Sequence, residues 1–194
     1  GSGTYGIVYD IDLSRHKDPS VLSQYLPEEW AKKGITRWAR KIIPQHTSHL
    51  RNLYDWWQTS WKEVWIGLCM GKSERAGMLS YTPSVLCASV TTGKYQWSKD
   101  PVEREGLIFI IDMPLIEESQ SLTDKIRIAC STPGETTVQD VASIMFQQLC
   151  ALSVLHKSGV SHTDSAARNY LVRNWMHDGH HNCLLYTSPS PRDG

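Results

Sequence analysis

The chain has 194 residues, 20 basic and 20 acidic side chains, and 40% hydrophobic residues. That is enough apolar material for one ordinary domain with a real core, and the cancelling charge excludes a strong overall field toward nucleic acid or an anionic membrane. No apolar run approaches the roughly 20 residues needed to span a bilayer, and the first residues do not read as a signal peptide.

The first residue, Gly1, already stands inside a glycine motif, so the start is expected to be a truncation. Gly6-Ile7-Val8-Tyr9-Asp10-Ile11 reads as a strand, as does the run from Ile35 to Ile43, closed by Pro44. Between them, about 17–34, lies a polar stretch with Pro19 and Pro27 that reads as an insertion, with a helical turn at Pro27-Glu28-Glu29-Trp30. From His49 to Met70 the apolar residues Leu53, Trp57, Trp61, Val64, Trp65 and Leu68 recur at helical spacing. Burial of part of the tryptophan set Trp56, Trp57, Trp61 and Trp65 is expected, with the remainder facing a partner. Val85 to Val90 and Leu107 to Ile111 suit paired strands, with turns at Thr91-Thr92-Gly93 and from Pro101 to Gly106. After Pro114 the texture becomes helical. Val141, Ile144, Met145, Leu149, Leu152 and Leu155 mark one face of a helix from Thr137 to Lys157, which Gly159 is placed to stop. Asn169 to Val172 reads as a short strand, and residues 182–194 as a non-native tail outside the fold.

Five cysteines (Cys69, Cys87, Cys130, Cys150 and Cys183) are scattered without C-x-x-C spacing. The pattern argues for a reducing, cytoplasmic setting and against a disulfide framework or a zinc ribbon. His177, His180, His181 and Cys183 match no zinc spacing and read as a solvated turn.

Three features carry chemistry. Gly1-Ser2-Gly3-Thr4-Tyr5-Gly6-Ile7-Val8 fits G-x-G-x-x-G-x-V, in which glycines at 1, 3 and 6 let backbone N–H groups approach phosphate oxygens. The same letters open dinucleotide-binding folds, but there a helix follows, whereas here the β-branched Ile7 and Val8 continue as a strand. Lys41, in Trp38-Ala39-Arg40-Lys41-Ile42-Ile43, is a strand lysine. By itself it would more often be a solvated charge; a carboxylate behind it would aim its ammonium at phosphates. Glu63 on the following helix is the leading candidate for that carboxylate and Asp55 the rival. The third feature is the run from Leu155 to Val172, an amphipathic helix end, then His162-Thr163-Asp164-Ser165-Ala166-Ala167-Arg168-Asn169, then a strand.

This last run resembles the catalytic loop of protein kinases, H-R-D-L-x-x-x-N, and the glycine loop, strand Lys and helix Glu precede it in the order that family requires. The resemblance covers the chain to about His181. It implies a two-lobed α+β kinase fold, with an N-terminal lobe over 1–115 and the start of a C-terminal lobe over 116–181. It implies transfer of the γ-phosphoryl group of ATP, with Mg²⁺, to a hydroxyl of a protein substrate. Asp164 would take or orient the hydroxyl proton, and Asn169 would bind the metal. Lys41 and Glu63 would hold the phosphates. Val8 and Ala39 would roof the base and Leu171 would floor it. Asp112-Met113-Pro114, after Ile111 at the gatekeeper position, would be the hinge whose backbone reads the base edge.

The departures are specific. Thr163 replaces the Arg of the triplet, which argues against control by activation-loop phosphorylation. Ser165 replaces an apolar residue. Ala166-Ala167-Arg168 is similar to the tyrosine-kinase type of loop. A second metal-binding Asp, followed by Phe-Gly, belongs about a dozen residues after Asn169. Asp178-Gly179 reads instead as a hairpin turn, and Asp193-Gly194 has no residue between its members. These residues alone are therefore expected not to turn over. A pseudokinase, acting as a nucleotide-binding or scaffolding module, is the alternative. A dinucleotide-dependent oxidoreductase is disfavoured by the strand after Gly6.

Overall fold

The computed structural model describes residues 2–3, 6–15, 18, 28–32, 34–45, 52–75, 85–96, 102–116, 119–131, 135–161, 165–177 and 180–187. It is a mixed α+β structure that divides into two compact units, one of residues 1–64 and 85–115, the other of 65–84 and 116–194. Among the described residues no helix is long and apolar enough to cross a membrane.

The first unit is built on an antiparallel sheet of five strands: β1 (Ser2–Gly3), β2 (Gly6–Asp12), β3 (Arg37–Pro44), β4 (Cys87–Tyr95) and β5 (Arg104–Pro114), in the order β1-β2-β3-β5-β4. One face carries Ile7, Ile42, Tyr95 and Ile108. The opposite face carries Ile43, Phe109 and Ile111, and helix α2 (Leu53–Arg75) lays Trp56 and Val64 on it. The short helix α1 (Glu28–Lys32) buries Trp30 edge-on against Trp38 at 5.4 Å, so this part of the expected insertion packs on the sheet. Two strand expectations shift. Thr91, Thr92 and Gly93 do not turn but continue β4, because Gly93 pairs with Gly106, and β-branched Thr suits a pleated ladder. Arg104 to Gly106 likewise belong to β5 rather than to a turn.

Helix α2 starts at Leu53, not at His49, because Asn52 caps it. The Asn52 Oδ1 accepts the Asp55 N–H at 2.8 Å while its amide donates to the Asp55 carboxylate at 2.7 Å. Its buried line is Trp56, Ser60, Glu63 and Val64, with Trp56 only 1% exposed. The expected line is rotated: Leu53, Trp57, Trp61 and Leu68 are exposed, and Trp65 is 69% exposed. Apolar periodicity missed this face because two of its members are polar. Ser60 satisfies its hydroxyl on the Trp56 carbonyl at 2.8 Å, and the Trp56 indole donates to the Ile43 carbonyl at 2.9 Å.

The second unit contains β6 (Ser119–Ser121), α3 (Leu122–Ser131), α4 (Glu135–Lys157), a 3-10 turn (Ala167–Asn169), β7 (Tyr170–His177) and β8 (His180–Thr187). Its core joins Leu122, Ile144, Tyr170 and Val172. Ser121 caps α3, accepting the Asp124 N–H at 3.1 Å and donating to the Asp124 carboxylate at 2.7 Å. Among the described side chains of α4, Ile144, Ala151 and Leu155 are buried; Met145 and Leu149, expected on that face, are exposed. The line passes through Ala151, which an apolar pattern weighted toward large residues overlooks. The helix stops as expected at Gly159, whose φ is +75°. The Gly159 N–H bonds the His156 carbonyl and the Val160 N–H the Leu155 carbonyl, at 3.0 and 2.9 Å, the paired bonds of a Schellman motif.

Strand β7 pairs His177 with His180 of β8, on either side of Asp178-Gly179, which lie outside the described residues. Strand β8 carries its pairing on to Thr187, opposite Tyr170. His180, His181 and Cys183 thus lie on a strand, not in a turn.

Candidate functional site

The glycine motif forms two paired strands, with Ser2 opposite Ile7 and Gly3 opposite Gly6. Gly1 lies outside the described residues. Gly6 is required by space: a Cβ there would stand 2.8 Å from the Ile42 carbonyl oxygen and 3.1 Å from Lys41 Cε. Only hydrogen on that Cα lets β2 cross the lysine stem this closely.

Directly opposite residues of an antiparallel pair share a face. Val8 pairs with Lys41, Lys41 with Ile111, and Ala39 with Met113. Val8, Ala39, Lys41 and Met113 therefore stand on one face, the one α2 partly covers. Lys41 donates from Nζ to Glu63 Oε1 at 2.6 Å and to Oε2 at 2.7 Å, with the two side chains 14% and 7% exposed. Glu63, not Asp55, is thus the carboxylate beside the lysine; Asp55 is engaged by Asn52 at the helix start. A charged pair this shielded needs hydrogen bonding to offset its desolvation, and the two-pronged contact supplies two of the three bonds the ammonium can donate.

Asp112 behaves differently. It alternates with Ile111 and Met113 and so belongs to the opposite face, where its buried carboxylate accepts from Arg40 Nε at 2.8 Å, Arg40 Nη2 at 2.9 Å and Trp38 Nε1 at 3.1 Å. The hydrogen bonds to Asp112 push the Arg40 guanidinium still further above its ordinary range, and its Cζ sits 5.7 Å from the Trp38 ring centroid. The Asp112 carbonyl accepts the Leu86 N–H at 2.8 Å. Sequence reasoning missed this cluster. Arg40 and Asp112 are 72 residues apart, and neither belongs to a motif that names the other.

In the second unit, Asp164 lies outside the described residues, together with His162 and Thr163. Asn169 closes the 3-10 turn, its N–H on the Ala166 carbonyl at 2.9 Å, and is half-buried. Leu171 is exposed on β7, between buried Tyr170 and Val172. Among the described residues no cluster of three or more His, Cys, Asp or Glu is placed to hold a metal ion.

No protein-family model matches the chain, and a search of curated proteins finds no significant relative.

Proposed function

We propose that the chain is part of a protein kinase, with a two-lobed fold and a phosphate-binding centre at Gly6, Lys41 and Glu63. One observation carries the reading: Lys41, on the third strand of the sheet, is gripped at 2.6 and 2.7 Å by a helix glutamate, beside a glycine whose Cβ would stand 2.8 Å from the Ile42 carbonyl oxygen and 3.1 Å from the lysine stem. The lysine–glutamate ion pair, with the lysine on the strand after a glycine loop, is a working part of that family's centre. The residues fit a triphosphate. Gly6 leaves backbone room, and Lys41 presents an ammonium whose direction Glu63 fixes in advance, so little ordering remains for the moment of binding.

ATP with Mg²⁺ would supply the transferable phosphoryl group and the neutralising cation. Lys41 would orient the phosphates, and Asn169 would hold the cation. Asp164 would receive the proton of the acceptor hydroxyl on a protein substrate. Val8 and Ala39 line the same sheet face as Lys41 and would bound the base.

The test is MgATP binding and phosphoryl transfer in the complete protein. Lys41→Met should weaken nucleotide binding at least tenfold, by order of magnitude for a lost charge-assisted contact. Asp164→Asn should cut turnover by about 10²–10⁴ while leaving nucleotide affinity within a few-fold, because general-base help acts on the hydroxyl. Unchanged binding in Lys41→Met removes the phosphate site. Binding without turnover in the wild type leaves a nucleotide-binding module and no enzyme.

A further inference from the structure

We infer that this site, taken as the nucleotide site proposed above, recognises the triphosphate and discriminates little among bases. Bases are told apart by matched donors and acceptors along one edge, and a site that lacks such a pattern cannot reject a wrong base strongly. The segment expected to read that edge is Asp112-Met113-Pro114, at the end of β5.

Strand β5 lies between β3 and β4, so both its edges are engaged along most of its length. The Asp112 carbonyl points to the β4 edge, where it accepts the Leu86 N–H at 2.8 Å. Backbone groups of successive strand residues face alternate edges. Those of Met113 therefore face β3, where it stands opposite Ala39. The next groups on the β4 edge belong to Pro114, which has a carbonyl and no N–H. The Asp112 carboxylate offers nothing in their place, since Arg40 and Trp38 hold it on the other face.

Over the rest of β5 beyond Asp112, then, that edge presents an acceptor without a neighbouring donor. Adenine can meet a lone carbonyl with its amino group, and guanine can meet it with its ring N–H or its amino group. Neither purine is favoured by more than a small factor. Recognition falls to Lys41 and to the backbone approach that Gly6 allows.

The experiment is calorimetric titration of the 194-residue chain with MgATP, MgGTP and magnesium tripolyphosphate. Its folded state is verified by the blue-shifted emission expected of the buried Trp38 and Trp56. ATP and GTP should bind with dissociation constants within about tenfold of each other. Tripolyphosphate should displace both, and Lys41→Met should weaken both nucleotides by the same factor. A preference for ATP beyond that tenfold margin, or failure of tripolyphosphate to compete, overturns the inference and leaves the phosphate site standing. Failure of the folded chain to bind any of the three overturns the phosphate site and the inference with it.

Discussion

Gly6 and Lys41 occupy a space that admits one side chain: a Cβ on Gly6 would lie 3.1 Å from Lys41 Cε, with the Ile42 carbonyl oxygen at 2.8 Å. The lysine tip could yield, but the Ile42 carbonyl belongs to the β3 ladder and cannot. Gly6→Ala should therefore push β2 away from β3 and cost about 1–3 kcal/mol, the usual range for overpacking. Chemical denaturation should show the loss, and phosphate affinity should fall with it. An alanine variant as stable as the parent would mean that the two strands have slack.

Tyr95 gives a pH-dependent prediction. Its side chain is buried, and its hydroxyl finds no hydrogen-bond partner among the described residues. Burial pushes the phenol above its ordinary value of 10.0. Raising the folded-state value makes the folded protein hold its proton where the unfolded chain releases it, so stability is intact below pH ~10 and declines as pH rises through the folded-state value. Tyr95→Phe should remove that alkaline decline and be neutral or stabilising by about 1 kcal/mol at pH 7, since it deletes an unsatisfied polar group. Thermal melts across pH 7–11 decide it; a variant destabilised at neutral pH would reveal a partner for the hydroxyl.

Gly159 is a cleaner backbone test. Its φ is +75°, and a Cβ there would meet nothing within 4 Å, so any loss comes from conformation alone. Gly159→Ala should cost about 1 kcal/mol, from the left-handed strain of an L-residue. Gly159→Asn should recover part of that loss, because Asn tolerates the region better. Equal melts for the alanine variant and the parent would show that α4 can end another way.

The parts of this molecule legible in the sequence are those whose signal is local. The strand bearing Lys41 follows from β-branched residues in a row, and Gly159 stands where a helix needs a positive φ. Glu63 leads as the carboxylate because it sits on the helix after that strand, and the fold sets aside its rival Asp55, which Asn52 engages. The buried face of α2 was not legible, because Ser60 and Glu63 are buried for hydrogen bonds and an apolar pattern points a quarter-turn away. The Trp38–Arg40–Asp112 cluster was invisible for another reason. Tertiary partners 72 residues apart leave no periodicity, and Asp112 was instead assigned to a base-reading segment.

That cluster predicts a stability effect separate from the proposed phosphate binding. Asp112→Ala leaves the Arg40 guanidinium, about 35% exposed, and the Trp38 indole without their acceptor, and should destabilise by about 2–4 kcal/mol. Asp112→Asn keeps one acceptor oxygen and should lose less. Because Asp112 stands on the face opposite Lys41, the fraction that stays folded should bind triphosphate as the parent does. A lost phosphate affinity at unchanged stability would put Asp112 back in the binding face.

The Lys41–Glu63 pair permits a test that separates fold from function. Each single removal leaves the other charge shielded and unpaired, so Lys41→Met and Glu63→Leu should each destabilise by about 3 kcal/mol, near the lower end for breaking a buried pair. Replacing both puts apolar groups of similar volume in the same space, and the double variant should regain most of that loss. The coupling energy in a double-mutant cycle should then be about 2–3 kcal/mol. Phosphate affinity should behave oppositely, since an apolar pair cannot hold an anion: it should be absent in the double variant and in Lys41→Met, and weakened in Glu63→Leu, where the ammonium remains but its direction is lost. Recovery of stability without recovery of binding would mark the pair as kept for its charge. Recovery of both would assign anion binding to other groups and reduce Lys41 and Glu63 to a structural pair.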